Sequence, residues 1–293
     1  MTAPLLLAVI ADSSSGATAA QIIPEIAKVA SRVTVYQRTP NWIIPRGDSP
    51  VSAMTRALYR YLPPLRWRKR ATLMDFREAF YGAVIDGENP LAGEIRDSCV
   101  QQMHAALPDR KDLWDKLTPN YNPGCKRVLI SDDYYPTLAR ENVRLETRPI
   151  SKLNETGIQV EGSEEEYDLV VCATGFQTLE FMHPIELYGK GGRALSDIWK
   201  TGARAFKGVT VQDLPNFGML YGPNTNLGHN SIILMIEAQS RYINALVKPV
   251  LEARRQGTRL SLSPKQSSLD EYNDAVQKIL KNSSFADPGC NSW

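Results

Sequence analysis

Two cations, Lys126 and Arg127, stand side by side in the run Tyr121-Asn-Pro-Gly-Cys-Lys-Arg-Val-Leu-Ile130. Pro123-Gly124 is a turn signal, and Val128–Ile130 is a short apolar run of strand type. The cations therefore sit where turn becomes strand. Charge held rigidly at such a junction is suited to a bound phosphate or a developing anion. Composition alone favours a plainer alternative, a pair of solvated surface charges. Three other segments tip the balance.

The first is the turn Ser13-Ser-Ser-Gly-Ala-Thr-Ala-Ala-Gln21, between a strand and a helix. At that place a dinucleotide fold offers bare backbone N–H groups and the helix dipole to a pyrophosphate. The fingerprint G-x-G-x-x-G/A is only partly met: Gly16 is present with Ala19 in the third slot, and Ala11-Asp-Ser-Ser-Ser15 replaces the first glycine. Alone, this is no better than an ordinary tight turn. The second segment is Gln37-Arg38-Thr39, at the end of the next strand. An acidic residue there selects NAD, whereas an arginine accommodates the extra phosphate of NADP. Arg38 supplies a planar fork and Thr39 a hydroxyl. The third is Ala173-Thr174-Gly175, at the carboxyl end of an apolar strand, where open α/β sheets meet their ligands. The plain alternatives are a strand-end arginine in solvent and a strand followed by a glycine turn.

The elements that must position these residues follow from periodicity. Leu5–Ala11 is a continuous apolar strand candidate; Ala17–Ala30 sets Ala19, Ile22, Ile23, Ile26, Ala27 and Ala30 on one helical face; Arg32–Gln37 is a strand. Strand, turn, helix, strand opens a parallel α/β domain. From about residue 46 to 117 the period turns helical, with helices expected over Met54–Leu62, Trp67–Val84 and Leu91–Leu107 and breaks at Pro63-Pro64 and Asn89-Pro90. Arg56, Arg60, Arg66, Arg68, Lys69 and Arg70 make this insertion basic. Its aromatic residues are not gathered opposite the charges, which favours a solvated helical face over one lying on a membrane. The α/β pattern then resumes: a strand after Arg127, a short helix over Asp132–Arg140, the strand Val143–Thr147, a hairpin over Ile150–Val160 turning at Thr156-Gly157, and the strand Tyr167–Ala173. A loop-rich stretch follows, then a strand over Phe217–Tyr221, a long helix over about 230–255, and a last helix over Leu269–Leu280.

The 293 residues suffice for one large core or two smaller ones, and 43% hydrophobic with 23% charged residues is ordinary globular composition. A net charge of +2 argues against bulk attraction to nucleic acid. Cys99, Cys125, Cys172 and Cys290 are scattered, with no Cys-x-x-Cys pair, so neither a disulfide framework nor a zinc site is expected and a reducing compartment fits. No apolar run approaches the roughly 18 residues of a transmembrane segment. Pro4–Ala11 with Ala17-Thr-Ala19 has the outline of a signal peptide but lacks a basic n-region, so a cytoplasmic location is expected.

Four segments in order carry a resemblance: Val33-Thr-Val-Tyr-Gln-Arg-Thr-Pro-Asn-Trp42 with Pro45-Arg46, Gly124-Cys-Lys-Arg-Val-Leu129, Asp168-Leu-Val-Val-Cys-Ala-Thr-Gly-Phe176, and Tyr221-Gly-Pro-Asn-Thr-Asn-Leu-Gly-His-Asn-Ser231. They resemble the later two-thirds of a class B flavoprotein monooxygenase of the Baeyer–Villiger group, particularly enzymes similar to 4-hydroxyacetophenone monooxygenase and cyclohexanone monooxygenase. The resemblance implies an α/β fold: a Rossmann-like NADP-binding domain over 1–175 with a helical insertion at about 46–117, then the C-terminal portion of an FAD-binding domain over 176–293. It implies FAD and NADP as cofactors, with O2 and a small carbonyl compound as substrates. By this resemblance Gly16, Ala17, Thr18 and Gln21 would line the NADP pyrophosphate, and Arg38, Thr39 and Lys126 would hold its 2′-phosphate. Arg127 would face the flavin and stabilise the anionic oxygen species and the adduct that follows. Ala173, Thr174 and Gly175 would mark the link between the two cofactor domains. Asn230 and Ser231 would open a helix whose N-terminus stabilises negative charge on the reduced flavin.

The resemblance also implies gaps. The FAD-binding G-x-G-x-x-G unit that precedes these segments in relatives has no counterpart, and none of His104, His183 and His229 lies in the fingerprint F-x-G-x-x-x-H-x-x-x-W-P. Cys290-Asn-Ser-Trp293 resembles the start of a segment that continues in relatives. The chain is thus expected to be an incomplete copy of a monooxygenase. The rival is a non-catalytic NADP-binding or interaction module. A simple NADP-dependent dehydrogenase is weaker, because no Tyr-x-x-x-Lys pair or suitably placed histidine is available to move a proton.

Overall fold

The computed structural model describes residues 5–11, 16–86, 88–175 and 180–290. The turn at 12–15 and Phe176 lie outside them. The apolar run Leu6–Ile10 forms β1, and Gly16–Val29 forms α1, which buries Ala19, Ala20, Ile23, Pro24 and Ala27. Arg32–Tyr36 (β2) lies parallel to β1 with Val9 opposite Val35. Both strands carry apolar residues on both faces, as expected where a parallel sheet is covered on two sides.

The chain then leaves the sheet. Ile43–Ile44 (β3) precedes Ala53–Tyr61 (α2), Pro63–Glu78 (α3), Tyr81–Ile85 (α4), Pro90–Ala106 (α5) and Trp114–Leu117 (α6). Local capping sets these starts: the Ser52 side chain accepts from the Thr55 N–H at 3.1 Å, and Asn89 Oδ1 accepts from the Leu91 N–H at 3.0 Å with Pro90 at the first helical position. The helix expected over Trp67–Val84 is interrupted at Ala79-Phe80, giving α3 and α4.

Leu129–Ile130 (β4) pairs with β3 in a separate two-stranded ladder. Tyr134–Leu138 (α7) leads to Val143–Glu146 (β5). Ile150–Leu153 (β6), Gly157–Val160 (β7) and Ser163–Glu166 (β8) form an antiparallel meander, and Leu169–Cys172 is β9. The main sheet is parallel, in the order β5-β2-β1-β9. One cluster, including Val9, Ile23, Val33, Leu107 and Leu138, packs α1, α5 and α7 with the sheet; Ala8, Ile10 and Tyr36 pack with Ile158 and Val160 of the meander. The segments on either side of the insertion thus join one sheet.

Two differences from the sequence reading have physical causes. The hairpin over 150–160 gains a third strand, β8, whose sequence Ser-Glu-Glu-Glu has no apolar alternation. Tertiary contacts hold it: Glu165 pairs with Arg144 and accepts from the Tyr167 hydroxyl at 2.7 Å. The strand expected over Phe217–Tyr221 is absent, because Asn216 and Tyr221 both have left-handed backbone (φ 57°), which breaks an extended ladder at each end.

The cysteine expectation is also corrected. Cys125 and Cys290, 165 positions apart, form a disulfide. Their separation gives no spacing signal; the folded chain brings them together. Asp287 accepts from the Asn122 N–H at 2.9 Å, and the Ser284 hydroxyl donates to the Val84 carbonyl at 3.0 Å.

By compactness the chain divides into Met1–Phe176 with Ser284–Trp293, and Gln177–Ser283. The second unit has a small core of Leu195, Ala205, Val211, Leu214 and Met219. It contains Leu195–Ile198 (α8), the 24-residue helix Ile232–Arg255 (α9) and Gln266–Leu280 (α10). A cavity of about 330 Å³ in this unit is lined by residues including Phe206, Phe217, Tyr242, Ile243 and Leu262. Among the described residues no helix is long and apolar enough to cross a membrane.

Candidate cofactor edge and active-site turn

In the parallel sheet of the first unit, the carboxyl ends of β1, β2 and β9 lie along one edge. Three groups of sequence-predicted residues fall there by connectivity: α1 follows β1, Arg38-Thr39 follows β2, and Ala173-Thr174-Gly175 follows β9. Ala17, Thr18 and Gln21, in the opening turns of α1, are exposed. Thr174 and Gly175 are exposed as well, whereas Ala173 is buried and its N–H donates to the Ile10 carbonyl at 2.9 Å. An exposed helix N-terminus on such an edge presents donors to an anion.

Gly16 is required by crowding. A Cβ at this position would lie 2.3 Å from the side-chain nitrogen of Asn41, itself buried. Asn41 thus seats the segment after β2 against the start of α1. It lies within the motif that carries the resemblance, but nothing in its local spacing marks it as a neighbour of Gly16.

Arg38 is exposed and Thr39 half-buried at the end of β2. Their backbone is fixed by Gln37, which is buried; its amide donates to the Thr39 carbonyl at 3.3 Å, and its Oε1 accepts from the Tyr134 hydroxyl at 2.5 Å. Burial holds the Tyr134 phenol well above its usual pKa, so it stays a neutral donor. This anchor stiffens the strand end from which Arg38 projects.

The Lys126-Arg127 turn is tied to the same segment through Tyr121. The Tyr121 hydroxyl donates to the Pro40 carbonyl at 2.8 Å, Trp42 Nε1 donates to the Tyr121 carbonyl at 2.8 Å, and the Leu129 N–H donates to the Trp42 carbonyl at 2.8 Å. Gly124 makes the turn possible with φ 97°, and a side chain there would press on Ser284 and Val84. The two cations then diverge. Lys126 is buried, its ammonium 5.0 Å from the centroid of the Tyr121 ring, while Arg127 is exposed. Among the described residues Arg127 has neither a hydrogen-bond nor an ion-pair partner, so its five donors face solvent at the strand mouth.

In the second unit, Asn230 and Ser231 stand at the start of α9, with Ser231 as N-cap. The Ser231 side chain makes no cap hydrogen bond, and the first turn carries no acidic residue. The preceding loop is braced internally. Gln239, buried in α9, accepts from the Tyr221 N–H at 2.8 Å, and the Thr225 hydroxyl donates to the Gly222 carbonyl at 2.7 Å. Gln239 and Tyr121 are positioning residues whose sequence positions carried no role; only their long-range partners reveal them.

The parallel sheet, its insertion and this edge define a Rossmann-like α/β protein. No family model matches the chain. It is 52% identical over 279 residues to the FAD-binding monooxygenase ktnD of Aspergillus niger, covering 95% of this chain and 46% of that protein. It is 37% identical to a Baeyer–Villiger monooxygenase of Streptomyces coelicolor, covering 95% of this chain and 53% of the other. The crystal structure of an oxidised steroid monooxygenase bound to NADP superimposes with a TM-score of 0.77 at 26% identity, covering 98% of this chain and 60% of that one. Over nearly its whole length the chain is homologous to the FAD-binding and Baeyer–Villiger class of flavoprotein monooxygenases, and it spans about half the length of the curated relatives it matches.

Proposed function

We propose that this chain is the NADP-binding and active-site-arginine portion of a Baeyer–Villiger-type monooxygenase, which uses NADPH, FAD and O2 to insert one oxygen atom beside a carbonyl. The observation that carries the reading is the tie, through Tyr121, between the Lys126-Arg127 turn and the strand end bearing Arg38. Homology to named monooxygenases over 95% of the chain supports it independently.

In this reading the first unit is the NADP domain. The opening turn of α1, with Gly16, Ala17, Thr18 and Gln21, accepts the pyrophosphate. Arg38, Thr39 and Lys126 hold the 2′-phosphate, and Ala173, Thr174 and Gly175 line the same edge. The exposed opening turn of α1 on this edge fits a group seated against backbone donors. The second unit contributes part of an FAD domain, where the start of α9 at Asn230 and Ser231, with no acidic residue in its first turn, suits negative charge on the flavin. When bound, the flavin supplies the oxygen chemistry. Arg127 stabilises the oxyanion that develops when oxygen adds to the carbonyl; an always-charged guanidinium without a partner among the described residues suits that role.

A non-catalytic NADP-binding module is the second reading. Purified protein carrying a flavin spectrum supports the first reading; colourless protein that binds NADPH supports the second. The decisive variant is Arg127→Ala, studied in this chain joined to an intact FAD-binding half. Product formation should fall at least about 100-fold while NADPH oxidation continues with release of hydrogen peroxide. Ester or lactone formation at near the parental rate would remove Arg127 from the mechanism.

A further inference from the structure

Neither α2 nor α3 has a single buried residue. Helices of this length are marginal in water without a packed face, and this pair leaves large apolar groups bare: Met54 is 75% exposed, Tyr61 73% and Trp67 64%, with Leu58, Leu62, Leu65, Leu73, Met74 and Phe76 also exposed. Between Ala53 and Met74 stand Arg56, Arg60, Arg66, Arg68, Lys69 and Arg70, with no acidic residue. All six are exposed, and among the described residues none pairs with a carboxylate. Since the whole chain carries only +2, the remainder is net acidic and the positive charge is concentrated here.

The sequence favoured a solvated face for this basic insertion; because neither helix buries a residue in the fold, we propose instead that the α2–α3 pair attaches to the surface of an anionic phospholipid bilayer. On α2, Met54, Leu58 and Tyr61 fall at i, i+4 and i+7, and Arg56 and Arg60 lie on the opposite side. On α3, Trp67, Ala71 and Met74 form a stripe at the same spacing, flanked by the stripe of Arg66, Arg70 and Arg77. Cations beside an apolar stripe reach headgroup phosphates while their methylene stems cover the apolar boundary. Tyr61 and Trp67 carry the amphipathic rings that settle at that boundary. Guanidinium groups already lie over rings here, Arg60 over Tyr61 at 5.7 Å and Arg77 over Phe76 at 5.9 Å. Pro63-Pro64 separates the helices, and no described helix spans a bilayer, so the pair lies on the surface. A nucleic acid would match the cations but leave Met54, Leu58, Trp67 and Met74 in water; a lipid surface covers these four, while Leu65, Leu73 and Phe76 lie on the far side of α3.

Flotation of the whole chain with vesicles tests this. It should bind phosphatidylcholine vesicles containing about 30% phosphatidylserine at least about 10-fold better than pure phosphatidylcholine, and the preference should vanish near 1 M salt. Arg56→Glu with Arg60→Glu, Arg66→Glu and Arg70→Glu should abolish binding. Met54→Ser with Trp67→Ser should weaken it several-fold with the charge unchanged. Because none of these residues is buried, circular dichroism of the remaining fold should not move. Equal binding to both vesicle types, or retention by the charge-reversed variant, would overturn the proposal. Loss on charge reversal with no effect of the serine pair would assign the patch to a polyanion such as RNA. Failure on vesicles combined with protection of residues 53–78 by an added FAD-binding half would assign it to a protein contact.

Discussion

Helices α1 and α9 both carry apolar residues at helical spacing, and the fold treats them differently. Over its 14 residues α1 buries Ala19, Ala20, Ile23, Pro24 and Ala27 with the sheet. Helix α9 is 24 residues long, yet it buries only Gln239 and leaves Ile233, Leu234, Val247 and Leu251 exposed. Periodicity says which face of a helix is apolar; it does not say whether anything covers that face. Where cover exists, a side chain contributes to stability. Where it does not, the side chain contributes only through what it binds.

The largest test of that contrast is a pair of truncations. Ile23→Ala, at a fully buried position, should cost about 2–5 kcal/mol in urea unfolding. Leu251→Ala on α9 should cost less than about 0.5 kcal/mol. Similar losses at both sites would show that α9 is covered in solution. Next in size is Arg38→Ala, which should weaken NADPH binding by about 1–3 kcal/mol in calorimetric titration and leave NADH binding and the melting temperature nearly unchanged. A fall in melting temperature with equal loss for both nucleotides would make Arg38 structural.

The smallest effect concerns pH. At the end of β5, Arg148 holds the Glu146 carboxylate at about 2, against the usual 4.5, chiefly through a side-chain hydrogen bond. A depressed folded-state pKa stabilises the fold above the unfolded value, and that contribution is lost as pH falls from about 4.5 towards 2. Glu146→Gln should therefore flatten the acid limb of the stability profile in that window and lower stability near pH 7 by the amount that limb loses. An unchanged acid limb would mean that the pair is fully screened by water.

The alternation of Leu5–Ala11, Ala17–Ala30 and Arg32–Gln37 was legible because a parallel sheet with a crossover helix leaves a local apolar rhythm. The candidate site was partly legible for a similar reason: Lys126 and Arg127 were proposed from the adjoining Pro123-Gly124 turn, and Arg38 from its place at a strand end. What stayed hidden rests on partners far apart in sequence. Gln37 is held by Tyr134, Pro40 by Tyr121, and Gly16 is crowded by Asn41. The strand β8 owes its place to Arg144 and Tyr167.

The sequence by itself therefore determined the strand–helix–strand opening, the helical insertion and the return to the sheet, the residue types able to meet phosphate, and the long irregular motifs by which the chain resembles the monooxygenases. Only the tertiary structure decided that Lys126 is buried and Arg127 open, that Cys125 reaches Cys290, and that α2, α3 and most of α9 are left without cover. Local pattern follows from periodicity within one turn or one pleat. Burial and pairing depend on which distant surface arrives, and many distant surfaces are compatible with the same local pattern.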